Sequence, residues 1–343
     1  MRIIERHGIL ILLINLIPKY FRPMTDHYIT WWNVENLFDI KDAPESRRPP
    51  DIARKIKADL TNWTQDVLDR KIQNLASVIM QINNGLGPDL LGVCEIENAH
   101  VLNLLVQAVN LGARNYQLIH HDTLDNRGID VAFIYDANKY QFNAQEFFHH
   151  EIVKRYPTRE IVQATIATQK GNEIILVGNH WPSRSGGQYE SEPYRIIAGE
   201  TLSYFIERIQ QVKGNDAAIL VMGDFNDEPF NRSLMDYAQS VRDRDKVVNG
   251  RNPYLLNLMW PVLGERNASY VFDGRPIMLD QFLVSKGIVK KTGKFDLSDN
   301  AKLEKFAGMV RGDYDIPVRF GQETPNLNGF SDHLPISFVL QEK

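Results

Sequence analysis

The sequence predicts an α/β protein with one main domain. Short aliphatic runs of strand length alternate along the chain with longer segments of helical periodicity, and this alternation is typical of α/β folds. The 343 residues, of which 43% are hydrophobic, are sufficient to bury a large core. No internal repeat, low-complexity tract or Gly/Ser linker divides the sequence. We therefore expect a single domain over residues 26–343.

The strand and helix patterns differ in length and periodicity. Short segments rich in β-branched or aliphatic residues predict strands, whereas longer ones, in which residues such as Leu68, Ile72 and Ile79 recur at helical spacing, predict amphipathic helices. Polar or Gly- and Pro-rich stretches predict a solvated surface loop at 40–52 and a binding loop at 312–330. The predicted strands are 28–34, 90–94, 131–135, 161–168, 174–178, 218–222, 279–284 and 336–340, and the predicted helices are 65–82, 101–109 and 194–212.

Residues 1–25 are expected to form an extension outside the domain. Their apolar stretch, residues 8–17, is shorter than the roughly 20 residues that span a bilayer, and no small-x-small cleavage site follows it. Four interpretations stay open: a start codon assigned too early, with Met24 as the first residue; a poorly ordered extension; a signal or membrane anchor; or a packed helix. We expect a cytoplasmic location, with export or anchoring as the alternative and membrane contact only through residues 8–17.

Charge and cysteine content restrict the function classes. The formal net charge of −4 argues against a protein that holds nucleic acid by bulk electrostatics. It does not exclude a nuclease, because a bound metal and two or three arginines need only local positive charge. The single cysteine, Cys94, excludes an intrachain disulfide and a cysteine-rich zinc site. We expect Cys94 to be a small buried apolar residue.

Polar residues recur at or beside the ends of predicted strands. The end of a buried strand is where a sheet meets solvent, so several such ends can converge. Any one of them is weak evidence, because Asn and Asp are common in turns and helix caps. Together they are more specific. The residues are Asn33 and Glu35, Glu95, Asn179 and His180, Asp224 and Asn226, Asp280, and Asp332 and His333.

The residue types in this set suit metal-assisted hydrolysis of a phosphate ester. Carboxylate and amide oxygens are the ligands that Mg²⁺ prefers, and Mg²⁺ usually also binds waters and the substrate phosphate. A histidine paired with a carboxylate can deprotonate or orient the attacking water, or can neutralise charge on the phosphoryl oxygens. The set therefore predicts a magnesium-dependent phosphoric ester hydrolase.

In order and spacing, these motifs resemble the endonuclease/exonuclease/phosphatase superfamily. The resemblance covers roughly residues 29–340 and rests on Trp-Asn-Val, a strand ending in Glu, Asn-His-Trp, Gly-Asp-Phe-Asn, Leu-Asp-Gln-Phe-Leu-Val-Ser and Ser-Asp-His-Leu-Pro-Ile. It implies a four-layer α/β/β/α sandwich of two packed mixed β-sheets with outer helices. The strand and helix patterns alone are compatible with that fold but do not select it over a doubly wound sheet.

The resemblance also implies a role for each polar residue. The implied metal ligands are Glu95, with Asn33 beside it, and Asp332, which binds directly or through water. The implied metal is Mg²⁺ or Mn²⁺. His333 is the general base or the group that binds the scissile phosphate, and Asp280 orients it. The other implied catalytic residues are Asp224 and Asn226, which orient the water and hold a phosphoryl oxygen, and His180, for which Asp130 is the expected carboxylate partner.

Two arginines are candidates for binding phosphate. Arg184 follows Asn-His-Trp-Pro-Ser and Arg159 precedes a predicted strand, and a guanidinium matches a phosphoryl group in geometry. A surface salt bridge is the alternative for both. Asn179 completes the predicted substrate-binding set. Trp181 could stack on a base, but packing beneath its loop is the preferred interpretation.

The expected substrate is DNA or RNA, cleaved by in-line attack of water. This expectation rests on the phrases Asn-Val-Glu-Asn-Leu-Phe-Asp and Arg-Gly-Ile-Asp-Val, which look most like bacterial members described as nucleases. The cysteine pairs of secreted deoxyribonuclease are absent, so its calcium-supported character is not inherited. Two alternatives stay open: an enzyme acting on phospholipid, sphingomyelin, inositol or sugar phosphates, and a non-catalytic binding module on the same fold. No permanent protein partner is implied.

Overall fold

The computed structural model describes residues 24–343 except residues 111, 113, 124, 265 and 299. The expectations for the N-terminal extension, including its apolar stretch at 8–17, lie outside the described residues apart from Met24 and Thr25. Among the described residues, no helix combines the length and apolar character that a membrane span requires.

Most of the strands lie in two seven-stranded mixed sheets. The first sheet has the order β14-β18-β1-β2-β4-β3, with β15 also paired to β18, and the second has the order β5-β6-β7-β8-β13-β10-β9. Two short ribbons, β11-β12 and β16-β17, lie outside the sheets. The strands are β1 (Thr25–Leu37), β2 (Leu90–Ile96), β3 (Tyr116–His120), β4 (Asp130–Asp136), β5 (Tyr140–His150), β6 (Ile161–Thr168), β7 (Glu173–His180), β8 (Ile219–Asp224), β9 (Ser240–Val241), β10 (Leu255–Asn257), β11 (Tyr270–Phe272), β12 (Arg275–Ile277), β13 (Asp280–Val284), β14 (Phe295–Leu297), β15 (Lys302–Leu303), β16 (Val310–Arg311), β17 (Ile316–Pro317) and β18 (Ile336–Glu342).

Helices cover the outer face of each sheet. The α-helices are α1 (Pro50–Lys55), α2 (Gln65–Gly85), α3 (Ala99–Val109), α4 (Gln188–Lys213), α5 (Arg244–Asn249) and α6 (Lys286–Val289), with a π-helical turn at Ser233–Tyr237 and a 3₁₀ turn at Trp260–Val262.

Alternating side chains of the strands build three apolar layers. Trp31 faces the core between the two sheets, whereas the next residue, Trp32, faces the core beneath α2 and α3. A third core packs the outer face of the second sheet against α4. The order is therefore helix, sheet, sheet, helix, which confirms the predicted four-layer sandwich.

Two glycines allow the sheets to approach closely. A Cβ atom at Gly178 in β7 would lie 2.6 Å from Val131 Cγ1 in β4 of the opposite sheet. A Cβ atom at Gly92 in β2 would lie 2.5 Å from Met222 Sδ in β8. These contacts are shorter than packed carbon and sulfur atoms tolerate. The spacing between the sheets therefore depends on glycine at position 178, where Val131 and Phe133 of the opposite sheet would be met, whereas at Gly92 the flexible Met222 side chain or Trp31 of the same sheet would have to move.

The eight predicted strands and three predicted helices are all present, and only the strand at 161–168 has the predicted bounds. Ten of the described strands were not predicted: β3, β5, β9 to β12 and β14 to β17. Eight of these are only two or three residues long, whereas β3 and β5 are edge strands, and β5 carries several exposed polar residues in place of a clear alternation. Residues 40–52 are largely exposed, as expected, but they are not simply solvated. Arg48 is buried, forms an ion pair with Glu97 and donates to the carbonyl oxygens of Asp39 and Ile40.

Candidate active site

Three candidate residues lie in one row across neighbouring strands of the second sheet. In the parallel pair of β7 and β8, His180 is opposite Asp224. In the antiparallel pair of β8 and β13, Asp224 is opposite Asp280. Strand register alone therefore brings these three side chains to the same edge of the sandwich.

The first sheet contributes Asn33 and Glu95 to the same place. Asn33 Nδ2 donates to Asp224 Oδ2 at 3.0 Å and lies 3.4 Å from Glu95 Oε1. Glu95 has a left-handed backbone, with φ at +66°, and the ladder between β1 and β2 is irregular between Asn33 and Leu37. The backbone N–H of Asn36 donates to Glu95 Oε2 at 2.8 Å. The bulge thus orients a carboxylate toward the second sheet.

His333 and Asp280 form a buried pair. His333 Nδ1 lies 2.7 Å from Asp280 Oδ2, and Trp31 Nε1 donates to Asp280 Oδ1 at 2.9 Å. His333 Nε2 lies 3.7 Å from Asp224 Oδ2, and the ring of Tyr270 covers the imidazole at a centroid distance of 4.6 Å. Burial disfavours the imidazolium, but the carboxylates of Asp280 and Asp224 outweigh it and raise the pKa of His333 well above its ordinary value.

Burial shifts the pKa values of His180 and Asp224 in opposite directions. Burial, reinforced by the positive charges of Arg159 and Arg127, lowers the pKa of His180 well below its ordinary value, so its ring is neutral at pH 7. Burial raises the pKa of Asp224 to about 6, against the stabilising charge of His333. His180 Nε2 lies 3.8 Å from both Asp224 Oδ2 and Glu95 Oε1, and its Nδ1 is buried without a hydrogen-bond partner among the described residues.

The donor set fits a hard divalent cation. Burial, together with the nearby carboxylates of Glu35 and Glu95, raises the pKa of Asp332 to about 7, and such a concentration of negative charge favours a bound cation. The predicted ligands Glu95 and Asp332 both line the cavity at the site. Asn33 is close, but its Oδ1 accepts from the backbone of Glu35, so it could bind a metal only after a half-turn of its amide. Asp224, Asp280 and His333 also have potential ligand atoms within 4.8 Å of one another.

Three arginines line the same cavity, which has a volume of about 470 Å³. Arg184 Nε donates to the carbonyl oxygen of Asn226 at 2.8 Å, and Arg159 donates to that of Trp181 at 2.7 Å. Both predicted arginines are buried parts of the cavity wall. Both are also ion-paired, Arg159 with Asp125 at 3.4 Å and Arg184 with Asp227 at 3.3 Å, so the salt-bridge alternative is correct in part, although the pairs are buried. The third, Arg127, donates to Asn36 Oδ1 and was not predicted.

The remaining predicted residues have different positions. Asn226 lines the cavity, and its left-handed backbone turns its N–H toward Asp224 Oδ1 at 2.9 Å. Asn179 is fully buried. Its Nδ2 donates to the carbonyl oxygen of Val177, and its Oδ1 accepts from Trp181 Nε1, so it supports the backbone around Trp181 and does not line the cavity. Trp181 is also fully buried, as the packing interpretation expects.

The suggested pairing of Asp130 with His180 is wrong. Asp130 Oδ2 lies 3.1 Å from His120 Nε2, and its Oδ1 accepts from the backbone and hydroxyl of Thr123. The reason is register: Ala132 of β4 is opposite His120 of β3, which places Asp130 near the end of β3.

Sequence reasoning placed Glu35 in the polar set without assigning it a role, and it missed the aromatic hairpin at the cavity. Glu35 is buried and accepts from Arg319 Nε and from the backbone N–H groups of Phe320 and Gly321, so it anchors the predicted binding loop beside the site. Tyr270 and Phe272 of β11 line the cavity. The Asp-Gly turn that follows Phe272 is a hairpin signal that could have identified this ribbon.

Comparisons with known proteins were made for sequence and for fold. A model of the endonuclease/exonuclease/phosphatase family matches residues 28–342. A search of curated protein sequences finds no significant match.

Similar solved structures share the fold at low sequence identity. A family protein from Bacteroides thetaiotaomicron is 14% identical, with 94% of this chain and 99% of that chain covered and a TM-score of 0.56. D. rerio TDP2 complexed with a single-strand DNA product is 16% identical, with 92% and 99% covered and a TM-score of 0.55. The mannosyl-6-phosphatase Bt3783 of Bacteroides thetaiotaomicron is 14% identical, with 92% and 99% covered and a TM-score of 0.51.

Proposed function

Because this chain belongs to the endonuclease/exonuclease/phosphatase family, we propose that it is a divalent-metal-dependent phosphodiesterase that acts on DNA or RNA. The observation that carries the proposal is His333, which is held by the buried Asp280 and lies in one cavity with Glu95 and three arginines. Hydrolysis of a phosphodiester requires an oriented water, a proton acceptor and neutralisation of phosphoryl charge. The cavity holds a group for each task.

The pKa shifts of Asp224 and His333 indicate which task each residue performs. Since the pKa of Asp224 is about 6, it is largely ionised at pH 7 and can accept a proton from the attacking water, while Asn226 helps to orient that water. The raised pKa of His333 makes it a proton-bearing donor toward a phosphoryl oxygen, with its orientation fixed by Asp280. This assignment selects phosphate binding from the two roles predicted for His333.

Glu95, Asp332 and, after rotation of its amide, Asn33 would hold Mg²⁺ or Mn²⁺. When bound, the cation neutralises charge on the phosphoryl group and stabilises the leaving oxygen. Arg127, Arg159 and Arg184 place guanidinium groups in the cavity wall, although the net charge of the chain is −4. Arg159 and Arg184 are partly neutralised by Asp125 and Asp227. Local charge of this kind can bind phosphate without a basic surface.

The aromatic side chains at the cavity favour nucleic acid among phosphodiesters. Phe272 is 40% exposed and lines the cavity together with Tyr270. Exposed aromatic rings beside cationic side chains form stacking platforms for the bases of single strands. The similar D. rerio TDP2 has been crystallised with a single-strand DNA product, which supports the same substrate class here.

A second candidate keeps the chemistry and changes the substrate to a phosphorylated sugar, inositol or lipid head group. The observation that favours it is the structural similarity to a mannosyl-6-phosphatase. A cavity of about 470 Å³ is also large enough for a small phosphate ester.

A substrate panel tests both candidates. Purified protein with Mg²⁺ should cleave labelled single-stranded DNA or RNA faster than mannose 6-phosphate, phosphatidylinositol phosphates or sphingomyelin micelles. Chelation with EDTA and the substitution His333→Ala should each abolish turnover, whereas His100→Ala on α3, outside the cavity, should not change it. Turnover that survives both EDTA and His333→Ala would remove the mechanism, and faster hydrolysis of a small ester would select the second candidate.

A further inference from the structure

We propose that His121, His149 and Glu160, here called the edge cluster, form a second metal site that binds Zn²⁺ outside the active site. One ligand atom from each of the three side chains can be chosen so that all lie within 4.8 Å of one another. None of the three lines the catalytic cavity. Two imidazoles and a carboxylate are a donor set typical of zinc, with a fourth position left for water.

The topology explains why these residues meet. His121 directly follows β3, an edge strand of the first sheet, and His149 lies in β5, an edge strand of the second sheet. Phe147 belongs to the layer between the sheets, and His149, two positions later in the strand, contacts it at a centroid distance of 4.7 Å. His149 therefore faces the opposite sheet. Glu160 directly precedes β6, the neighbour of β5.

Unpaired ligand atoms are the second observation. Nδ1 of His149 and Oε2 of Glu160 are shielded from solvent, and neither has a hydrogen-bond partner in the described part of the chain. A buried polar atom without a partner costs free energy, and a bound metal would remove that cost. The rings of His121 and His149 are in contact at a centroid distance of 3.6 Å, although no hydrogen bond between these described side chains accounts for the arrangement.

The edge cluster is accessible from solvent on one side. His121 is exposed, which leaves the site open for entry of the ion. Bound Zn²⁺ would connect the edges of both sheets and fix the residue next to Arg159, which lines the catalytic cavity.

Zinc binding with Mg²⁺ in excess tests the site. Calorimetric titration should show one more Zn²⁺ bound by the wild type than by His149→Ala, His121→Asn or Glu160→Gln, and Zn²⁺ should raise the Tm of the wild type by about 3 °C relative to these variants. His100→Ala should bind as the wild type does. Glu160→Gln and the exposed His121→Asn are the variants least disruptive to folding.

Cobalt provides an independent readout of coordination. Co²⁺ added to the wild type should give visible d–d absorption of a low-coordinate site, and the three variants should lose that absorption. Equal Zn²⁺ stoichiometry in the wild type and in folded His121→Asn and Glu160→Gln variants would overturn the proposal. An unchanged cobalt spectrum in those variants would overturn it as well.

Discussion

Replacing Asp280 with Asn tests the buried pair that carries the proposed mechanism. Asp280 accepts from two donors, His333 Nδ1 at 2.7 Å and Trp31 Nε1 at 2.9 Å, and uses a different oxygen for each. An Asn side chain has only one acceptor oxygen, so one donor must face an amide NH₂ group. If that donor is His333, its ring must change tautomer or rotate, and the orientation of Nε2 is lost.

The size of the effect follows from this geometry. A buried donor left unpaired costs about 1–3 kcal/mol of stability. Loss of a positioned donor to the charge that develops on the phosphoryl oxygens costs about 10²- to 10³-fold in kcat, which corresponds to about 3–4 kcal/mol in the activation free energy. We therefore expect Asp280→Asn to lower kcat by at least about 10²-fold in a protein that remains folded.

Single-turnover cleavage of a labelled oligonucleotide with saturating Mg²⁺ measures the chemical step directly. The matched control is Asp296→Asn, which removes a carboxylate that is ion-paired with Arg244 on a distant, partly exposed surface. Thermal unfolding of both variants separates a loss of rate from a loss of structure. A wild-type single-turnover rate constant in Asp280→Asn would refute the role assigned to the pair.

Three further substitutions test other parts of the structure. Arg127→Gln should lower kcat/KM by about 10- to 100-fold, since a charged hydrogen bond to phosphate contributes about 1.5–3 kcal/mol; an unchanged value in steady-state kinetics would place Arg127 outside the substrate path. Phe272→Ala should raise KM for single-stranded DNA about tenfold without changing kcat, because base stacking is worth about 1–3 kcal/mol; an altered kcat with constant KM would contradict a stacking role. Burial lowers the pKa of Lys71 from 10.5 to about 8, against the opposing charge of Glu35, so between pH 8 and 10.5 the unfolded state holds more protons than the folded state. Denaturant unfolding in EDTA should therefore show the wild type gaining about 3 kcal/mol relative to Lys71→Met as pH rises through this window, and a constant or falling difference would contradict the burial of a charged amine.

The sequence was sufficient to predict which residues meet at the candidate site, because that meeting follows from strand ends. His180, Asp224 and Asp280 each lie at an end of a buried strand, and the pairing of those strands places them in one row. No information about side-chain contacts was needed for this prediction.

Predicting the partner of Asp130 would have required information that the sequence does not contain. Asp130 lies beside His120 and not His180 because of how β3 aligns with β4, and β3 is a short edge strand without a clear apolar pattern. The same reason explains why β5, and with it the edge cluster, was not predicted: an edge strand with mixed polarity lacks the periodicity that identifies buried strands.

The close approach at Gly92 and Gly178 has a consequence for catalysis. Glu95 and Asn33 belong to one sheet, whereas His180, Asp224 and Asp280 belong to the other, so every distance between these two groups is set by how far apart the sheets lie. A methyl group at Gly178 would meet Val131 at 2.6 Å and force the layers apart. An alanine in the middle of the protein, without touching metal or substrate, would thereby act as an active-site mutation.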